Sequence, residues 1–159
     1  MMEFNMHKLQ KLISGVLLIF AIISIGYMLG KNVAEKQYVI ADETLGGNYI
    51  TVYYLHSTFR CETCNTIESM TKKLLDTNYS SEIKNTAIVW QEIDFMKNHD
   101  IAKQFDVAAS CVVVAMINQG KVQDFQRLDE VWTLMANPSE FNEYISEAID
   151  IYLRMRVAK

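Results

Sequence analysis

Cysteine is scarce in this chain: three residues in 159, namely Cys61, Cys64 and Cys111. That is too few and too uneven for a disulfide framework. A chain of this length can bury a core without covalent staples. One pair plus one more therefore suggests chemistry, or an incidental core thiol. Proline is scarcer still, and Pro138 is the only one. Charge is weakly unbalanced, at −4. No cluster of Lys and Arg alternates with exposed aromatics, so no nucleic-acid partner is expected. Internal repeats and low-complexity tracts are absent, and the length fits one compact domain plus appendages.

Charge is missing altogether from Leu12 to Leu29, LISGVLLIFAIISIGYML. At about 1.5 Å per residue a helix over this run reaches roughly 27 Å, slightly short of the ~30 Å hydrocarbon core of a bilayer. Gly30, with Tyr27 and Lys31 at the interface, makes up the difference. A buried core helix would carry a polar stripe, and this run has none. A cleaved signal peptide has a shorter apolar core, about 7–15 residues, and a small-x-small site after it. No such site follows Leu29. Residues 12–30 are therefore expected to form an uncleaved transmembrane anchor, with residues 1–11 as a cytoplasmic tail. Lys8 and Lys11 before the run balance Lys31 and Lys36 after it, so positive charge alone does not orient it. A short tail ahead of a first anchor usually stays inside. The expectation is a single-pass membrane protein whose soluble domain is extracytoplasmic, where disulfides persist.

Residues 31–48 read as a linker that Gly46-Gly47-Asn48 ends. The remaining 49–159 form the domain. Tyr49 to Leu55, YITVYYL, is β-branched and aromatic and predicts a buried strand. Cys61 to Asp76 follows as a helix, its small or apolar positions Cys64, Ile67, Met70, Thr71, Leu74 and Leu75 recurring at three and four. Asn78 to Lys84 is polar and turn-like. Thr86 to Ile93 predicts a strand, His99 to Phe105 a short helix capped by Asn98, and Cys111 to Ile117 the most strand-like run of all. Asn118-Gln-Gly120-Lys is a hairpin turn into a return strand over Val122 to Gln126. Leu128 to Met135 predicts a short helix. Asn137-Pro138-Ser-Glu140 starts the last one with a cap, a proline at the first position and an acid in the first turn. Its stripe is Phe141, Tyr144, Ile145, Ala148, Ile149 and Tyr152. Trp90 and Trp132 read as core anchors, and Met70, Met96, Met116 and Met135 sit at core-like positions. The early strands, joined through helices, are expected parallel and the last two antiparallel. The fold class is α/β, a four-stranded mixed sheet between helix layers.

Chemistry concentrates in His56-Ser-Thr-Phe-Arg60-Cys61-Glu62-Thr-Cys64-Asn65, at the junction of the first strand and first helix. Residues three apart on a helix share a face, so the two sulfurs come within bonding reach. The first lies at the helix N-terminus, where unpaired N–H groups favour an anion, so its pKa falls and Cys61 becomes the nucleophile. Cys64, one turn deeper, resolves the mixed disulfide. Arg60 should favour the Cys61 thiolate and Glu62 oppose it. His56, near the strand end, either stabilises a thiolate or relays a proton, or merely caps the strand. Glu68 is either a buried proton acceptor or solvent-bound, and Asp94 a turn or cap residue. A structural zinc site would need two further ligands, usually a second such pair, and none exists. A c-type haem site needs His directly after Cys64, where Asn65 stands.

The element order, with Cys61-Glu-Thr-Cys64 at that junction, resembles a thioredoxin fold over roughly Tyr49 to Leu153. Phe105-Asp-Val-Ala-Ala-Ser-Cys-Val-Val-Val resembles the segment leading into the third strand of thioredoxins, and Ile93-Asp94 the end of the strand before it. More narrowly, Tyr53-Tyr54-Leu55-His56, Arg60-Cys61-x-Thr63-Cys64 and Ile67-Glu68 resemble membrane-attached thioredoxin-like proteins catalogued as nitrophenyl compound nitroreductase subunit ArsF-like. No residues resemble a flavin site, so that reaction name is not carried over. The resemblance implies a thiol–disulfide oxidoreductase acting on a protein thiol or disulfide, with no cofactor. It also exposes a departure. Thioredoxins place a cis-proline opposite the pair, in a loop that pairs with the substrate main chain. Here Cys111 takes that slot with Ser110 before it, or, one residue out, Ser110 or Val112 does. A cis bond at a non-proline residue costs about 3 kcal/mol, so the loop is expected to be trans. Three readings of Cys111 follow: a third redox thiol; a ligand, with Cys61, Cys64 and His56, for Cu(I) or Zn(II); or a buried inert thiol. The function classes are accordingly an oxidoreductase, a soft-metal binding or delivery module, and a non-catalytic subunit of a membrane complex.

Overall fold

The computed structural model of the chain describes Lys11, residues 13–25 and residues 47–157. The chain divides into two compact units, one holding the N-terminal helix and the other the α/β domain. In the first, α1 covers residues 13–25, and its apolar side chains are exposed. Among the described residues no helix is long and apolar enough to cross a membrane. Most of the expected tail, Leu12, residues 26–30 of the expected anchor and residues 31–46 of the expected linker lie outside the described residues.

In the second unit the elements are β1 (Asn48–His56), α2 (Glu62–Asn78), α3 (Ser80–Lys84), β2 (Ile88–Asp94), α4 (His99–Gln104), β3 (Cys111–Asn118), β4 (Lys121–Leu128), α5 (Val131–Leu134) and α6 (Pro138–Val157). The strands form one sheet in the order β2-β1-β3-β4. β2 runs parallel to β1; β3 is antiparallel to β1 and to β4. The result is the thioredoxin-like α/β arrangement that the sequence resemblance implied. One expectation is corrected: β3, though it follows a helix, is not parallel to β1. A parallel return must retrace the length of the sheet, about 23 Å for seven residues, and a six-residue helix such as α4 spans only about 9 Å. The chain instead re-enters at the end where it left, with His56 opposite Asp94 and Leu55 opposite Cys111.

Period-two alternation divides the core. Ile50, Val52 and Tyr54 of β1 and Val112, Val114 and Met116 of β3 face Ile67, Leu74 and Leu75 of α2 and the Phe141–Tyr152 stripe of α6. Tyr49, Tyr53, Leu55, Cys111, Val113, Ala115 and Ile117 pack on the other face, with Ile101 and Phe105. The two central strands are thus apolar on both faces, which is why they read as near-continuous hydrophobic runs. The hairpin after β3 turns through Gln119 at φ +50° and Gly120 at φ +72°, the left-handed pair that a two-residue turn between twisted strands requires.

Local differences have local causes. The segment expected as a polar turn before β2 contains α3. Asn98 stands at the N-cap of α4, but its side chain accepts no helix N–H, and its Nδ2 donates to the Asp94 carbonyl. Trp132 is 37% exposed and Met96 49%, so neither is a core anchor, whereas Trp90 packs against the α2-side core.

Candidate active site

Cys61 is the N-cap of α2 rather than its first helical residue. Its backbone is extended, so its side chain turns back over the first turn, and Sγ accepts the Cys64 N–H at 3.1 Å. Cys61 and Cys64 form a disulfide, with Cα atoms 5.0 Å apart. The two cysteines differ in access: Cys61 is exposed, whereas Cys64 is only 5% exposed. The Tyr54 hydroxyl, rising from β1, donates to the Cys64 carbonyl at 2.6 Å. Burial raises the Tyr54 phenol above its ordinary value despite the opposing Arg60 charge, so the hydroxyl stays a donor. Main-chain position at Cys64 is therefore fixed from the sheet.

The loop between β1 and α2 is pinned on both flanks. The Thr58 hydroxyl donates to Asp94 Oδ2 at 2.7 Å, and Arg60 Nη1 donates to Glu92 Oε1 at 2.8 Å. Arg60 also pairs with Glu68, which pairs in turn with Lys72, and Lys72 approaches Glu92 at 3.5 Å. The guanidinium lies 5.6 Å from the Tyr54 ring centre and Lys72 Nζ 5.5 Å from that of Trp90. Burial by itself would raise the Glu68 carboxyl, but hydrogen bonds from Lys72 and Arg60 reverse this and hold it below the usual carboxylate range. Arg60 was expected to favour the Cys61 thiolate. The structure commits its charge to two carboxylates. Glu68, the candidate buried proton acceptor, is instead the anion of this network. Glu62 is exposed and has no ion pair among the described residues.

His56 does not reach the sulfurs. Its Nδ1 lies 2.9 Å from the Ser57 carbonyl, its Nε2 lies 3.4 Å from Glu92 Oε1, and its ring stacks on Tyr54 at 5.8 Å. It caps the strand end. Asp94 is the turn residue it was expected to be, accepting the Met96 N–H at 3.0 Å.

Cys111 lies on the wrong face for the pair. As the first residue of β3 it packs with Leu55, Ile101 and Phe105, while α2 covers the opposite face. It is 1% exposed, and burial, aided by the Asp129 charge, pushes its thiol up to about 12. The structure thus places Cys111 as a buried thiol in an apolar cluster, on the face of the sheet opposite α2. Among the described residues no group of three or more His, Cys, Asp or Glu side chains is placed to hold a metal ion. Alternation along β3 sends the Cys111 side chain to the face away from α2 and so away from Cys64. Ser110, 5% exposed, precedes Cys111 and lies near the Tyr54 hydroxyl, and its carbonyl accepts Trp132 Nε1–H at 2.7 Å. The described residues contain no cis peptide bond, as the missing proline led us to expect.

No family model and no curated protein matches the chain. Solved structures do. The chain is similar to Fasciola hepatica thioredoxin, at 20% identity over 69% of this chain and 86% of that one, with a TM-score of 0.41. It is also similar to mitochondrial thioredoxin 3 of Saccharomyces cerevisiae, at 17% identity, 66% and 82% coverage and a TM-score of 0.39. A third is Trxlp of Edwardsiella tarda, at 13% identity, 67% and 93% coverage and a TM-score of 0.42. The chemistry proposed below rests on this chain's own geometry.

Sequence reasoning missed Tyr54, Glu92 and Thr58 as supports of the pair. The Glu68–Lys72 spacing of four was a visible signal for one ion pair. Nothing local announced that Glu92, on a strand, would meet both.

Proposed function

We propose that this protein is a membrane-tethered thiol–disulfide oxidoreductase working through Cys61 and Cys64. The observation that carries the reading is the asymmetry of the disulfide: an exposed cysteine at a helix N-cap, bonded to a buried one. A partner thiolate reaches only Cys61. Its attack forms a bond to Cys61 Sγ and breaks the Cys61–Cys64 bond, and Cys64 leaves as thiolate. A second partner thiolate then attacks the partner sulfur of the mixed disulfide and expels Cys61. The Cys64 N–H that Cys61 Sγ accepts in the disulfide is placed to receive that leaving thiolate. Two electrons pass from the partner's dithiol, which becomes a disulfide, to the pair. The same steps in reverse reduce a partner disulfide, with Cys61 as nucleophile and Cys64 as resolving thiol.

The membrane tether rests on the charge-free run within residues 12–30, and the extracytoplasmic placement on the short tail ahead of it. The narrower kinship to ArsF-like membrane-attached proteins rests on the residues quoted above and brings no nitroreductase activity with it.

Cys64→Ser is the deciding variant. With the resolving thiol gone, Cys61 should accumulate mixed disulfides with partner proteins, seen as reducible adducts on non-reducing gels. Cys61→Ser should accumulate none. If neither variant traps a partner and the wild type shows no reversible dithiol, the reading is wrong.

A further inference from the structure

The rim around Cys61 holds two exposed residues, Phe59 and Glu62, that the exchange chemistry does not use. Phe59, two residues before Cys61, is 86% exposed, whereas no other large apolar side chain of the described domain exceeds the 49% of Met96. The loop that carries it is pinned. Thr58 is tied to Asp94, Arg60 to Glu92 and Glu68, and the Ser57 hydroxyl donates to the Phe59 carbonyl at 2.6 Å. These bonds hold the main chain on both sides of Phe59. On the other side of Cys61 stands Glu62. The nearest cation in sequence, Arg60, is matched by two carboxylates, and Lys97 is matched by Asp94 at 3.3 Å. Glu62, exposed and without an ion pair among the described residues, stands in the first turn of α2 beside Cys61.

Building on the oxidoreductase reading, we propose that Phe59 and Glu62 form a substrate-selecting rim. It takes a polypeptide segment whose reactive cysteine is flanked by a large apolar side chain and by a Lys or Arg. The apolar side chain covers the Phe59 ring, removing both from water. The basic side chain meets Glu62, which acts mainly on encounter rate and on choice of partner. Neither residue touches the reacting sulfurs; both position the substrate.

The test uses the full chain in detergent micelles, reduced and freed of reductant, and short peptides carrying one cysteine as its mixed disulfide with neutral 2-thiopyridine. Cys61 thiolate attacks the peptide sulfur and releases pyridine-2-thione, which is read by absorbance. Cys64 then attacks Cys61 Sγ, closing the protein disulfide and releasing the peptide thiol. The peptides pair Leu or Ala on one side of cysteine with Lys or Glu on the other. Each preference is a ratio between two peptides on one protein, so changes in thiol reactivity cancel. Wild type should prefer Leu over Ala about tenfold, and Phe59→Ala should abolish that preference. It should prefer Lys over Glu about threefold at low salt, and Glu62→Lys should reverse this, with both preferences of charge fading at high salt. Both side chains are exposed, so neither substitution threatens folding. Equal rates on all four peptides, or preferences that survive the substitutions, would overturn the proposal while leaving the oxidoreductase intact. No release from any peptide or from dipyridyl disulfide would overturn the oxidoreductase reading, and this one with it.

Discussion

Replacing Glu68 by Gln removes one charge from the network beside the redox pair and little volume. Its side chain is 13% exposed, and its partners Arg60 and Lys72 are 27% and 44% exposed. Hydrogen bonds to charged groups contribute about 1.5–3 kcal/mol when well shielded, and exposed ion pairs about 0.2–1 kcal/mol. With the anion mostly covered and the cations half in water, the expected loss is about 1.5 kcal/mol at neutral pH. The sign of the pH dependence follows from the carboxyl lying below its usual range in the fold. Such a group contributes stability that is present above its unfolded pKa, about 4.3, and is lost as pH falls through the lower folded value. Urea unfolding of wild type and Glu68→Gln should therefore differ by about 1.5 kcal/mol at neutral pH and converge at about pH 2. An undiminished difference in acid would mean that Glu68 acts through packing, and the electrostatic account would be refuted. The variant also frees part of the Arg60 charge next to Cys61. That should favour the dithiol and raise the reduction potential by about 15 mV, where 30 mV corresponds to 1.4 kcal/mol.

Cys111→Ala should leave disulfide exchange and the reduction potential unchanged, at a cost in stability of about 1 kcal/mol measured by urea unfolding. In the native wild type, iodoacetamide at neutral pH should spare Cys111, and alkylate it only when the protein is unfolded. Because burial raises that thiol to about 12, its contribution to stability should be fully present below about pH 8.5 and decline as pH rises toward the folded value. Tyr54→Phe should cost about 1–2 kcal/mol by leaving the buried Cys64 carbonyl without its side-chain donor. Hydrogen exchange should rise in the first turn of α2 and not at its C-terminal end. Trp132→Phe removes the donor to the Ser110 carbonyl and should raise backbone exchange at the start of β3, with unchanged exchange in α6.

Much of the fold was legible because local chemistry and global arrangement agree. YITVYYL and CVVVAMI are strands by composition, and their lack of alternation announces burial on both faces. The α6 stripe and its Pro138 start are visible in the same way. The direction of β3 was not legible, because a helical connection usually signals a parallel strand. Only the shortness of α4 relative to the sheet decides otherwise. Trp132 and Met96 misled because an apolar side chain identifies no environment when it sits on a four-residue helix or in a turn.

The sequence by itself determined the pair: two cysteines three apart at a strand-to-helix junction lie within one turn of the helix start, close enough to approach one another. It also determined that no proline stands at the start of β3. Only the tertiary structure decided what surrounds that pair. A strand has a period of two, so a single residue's shift at the entry of β3 exchanges one face for the other. That parity carries Cys111 away from α2 and brings Ser110 toward Tyr54. The ion pairs joining Arg60 and Lys72 to Glu92 likewise span residues that are remote in sequence. They come together only when β2 docks in register beside β1.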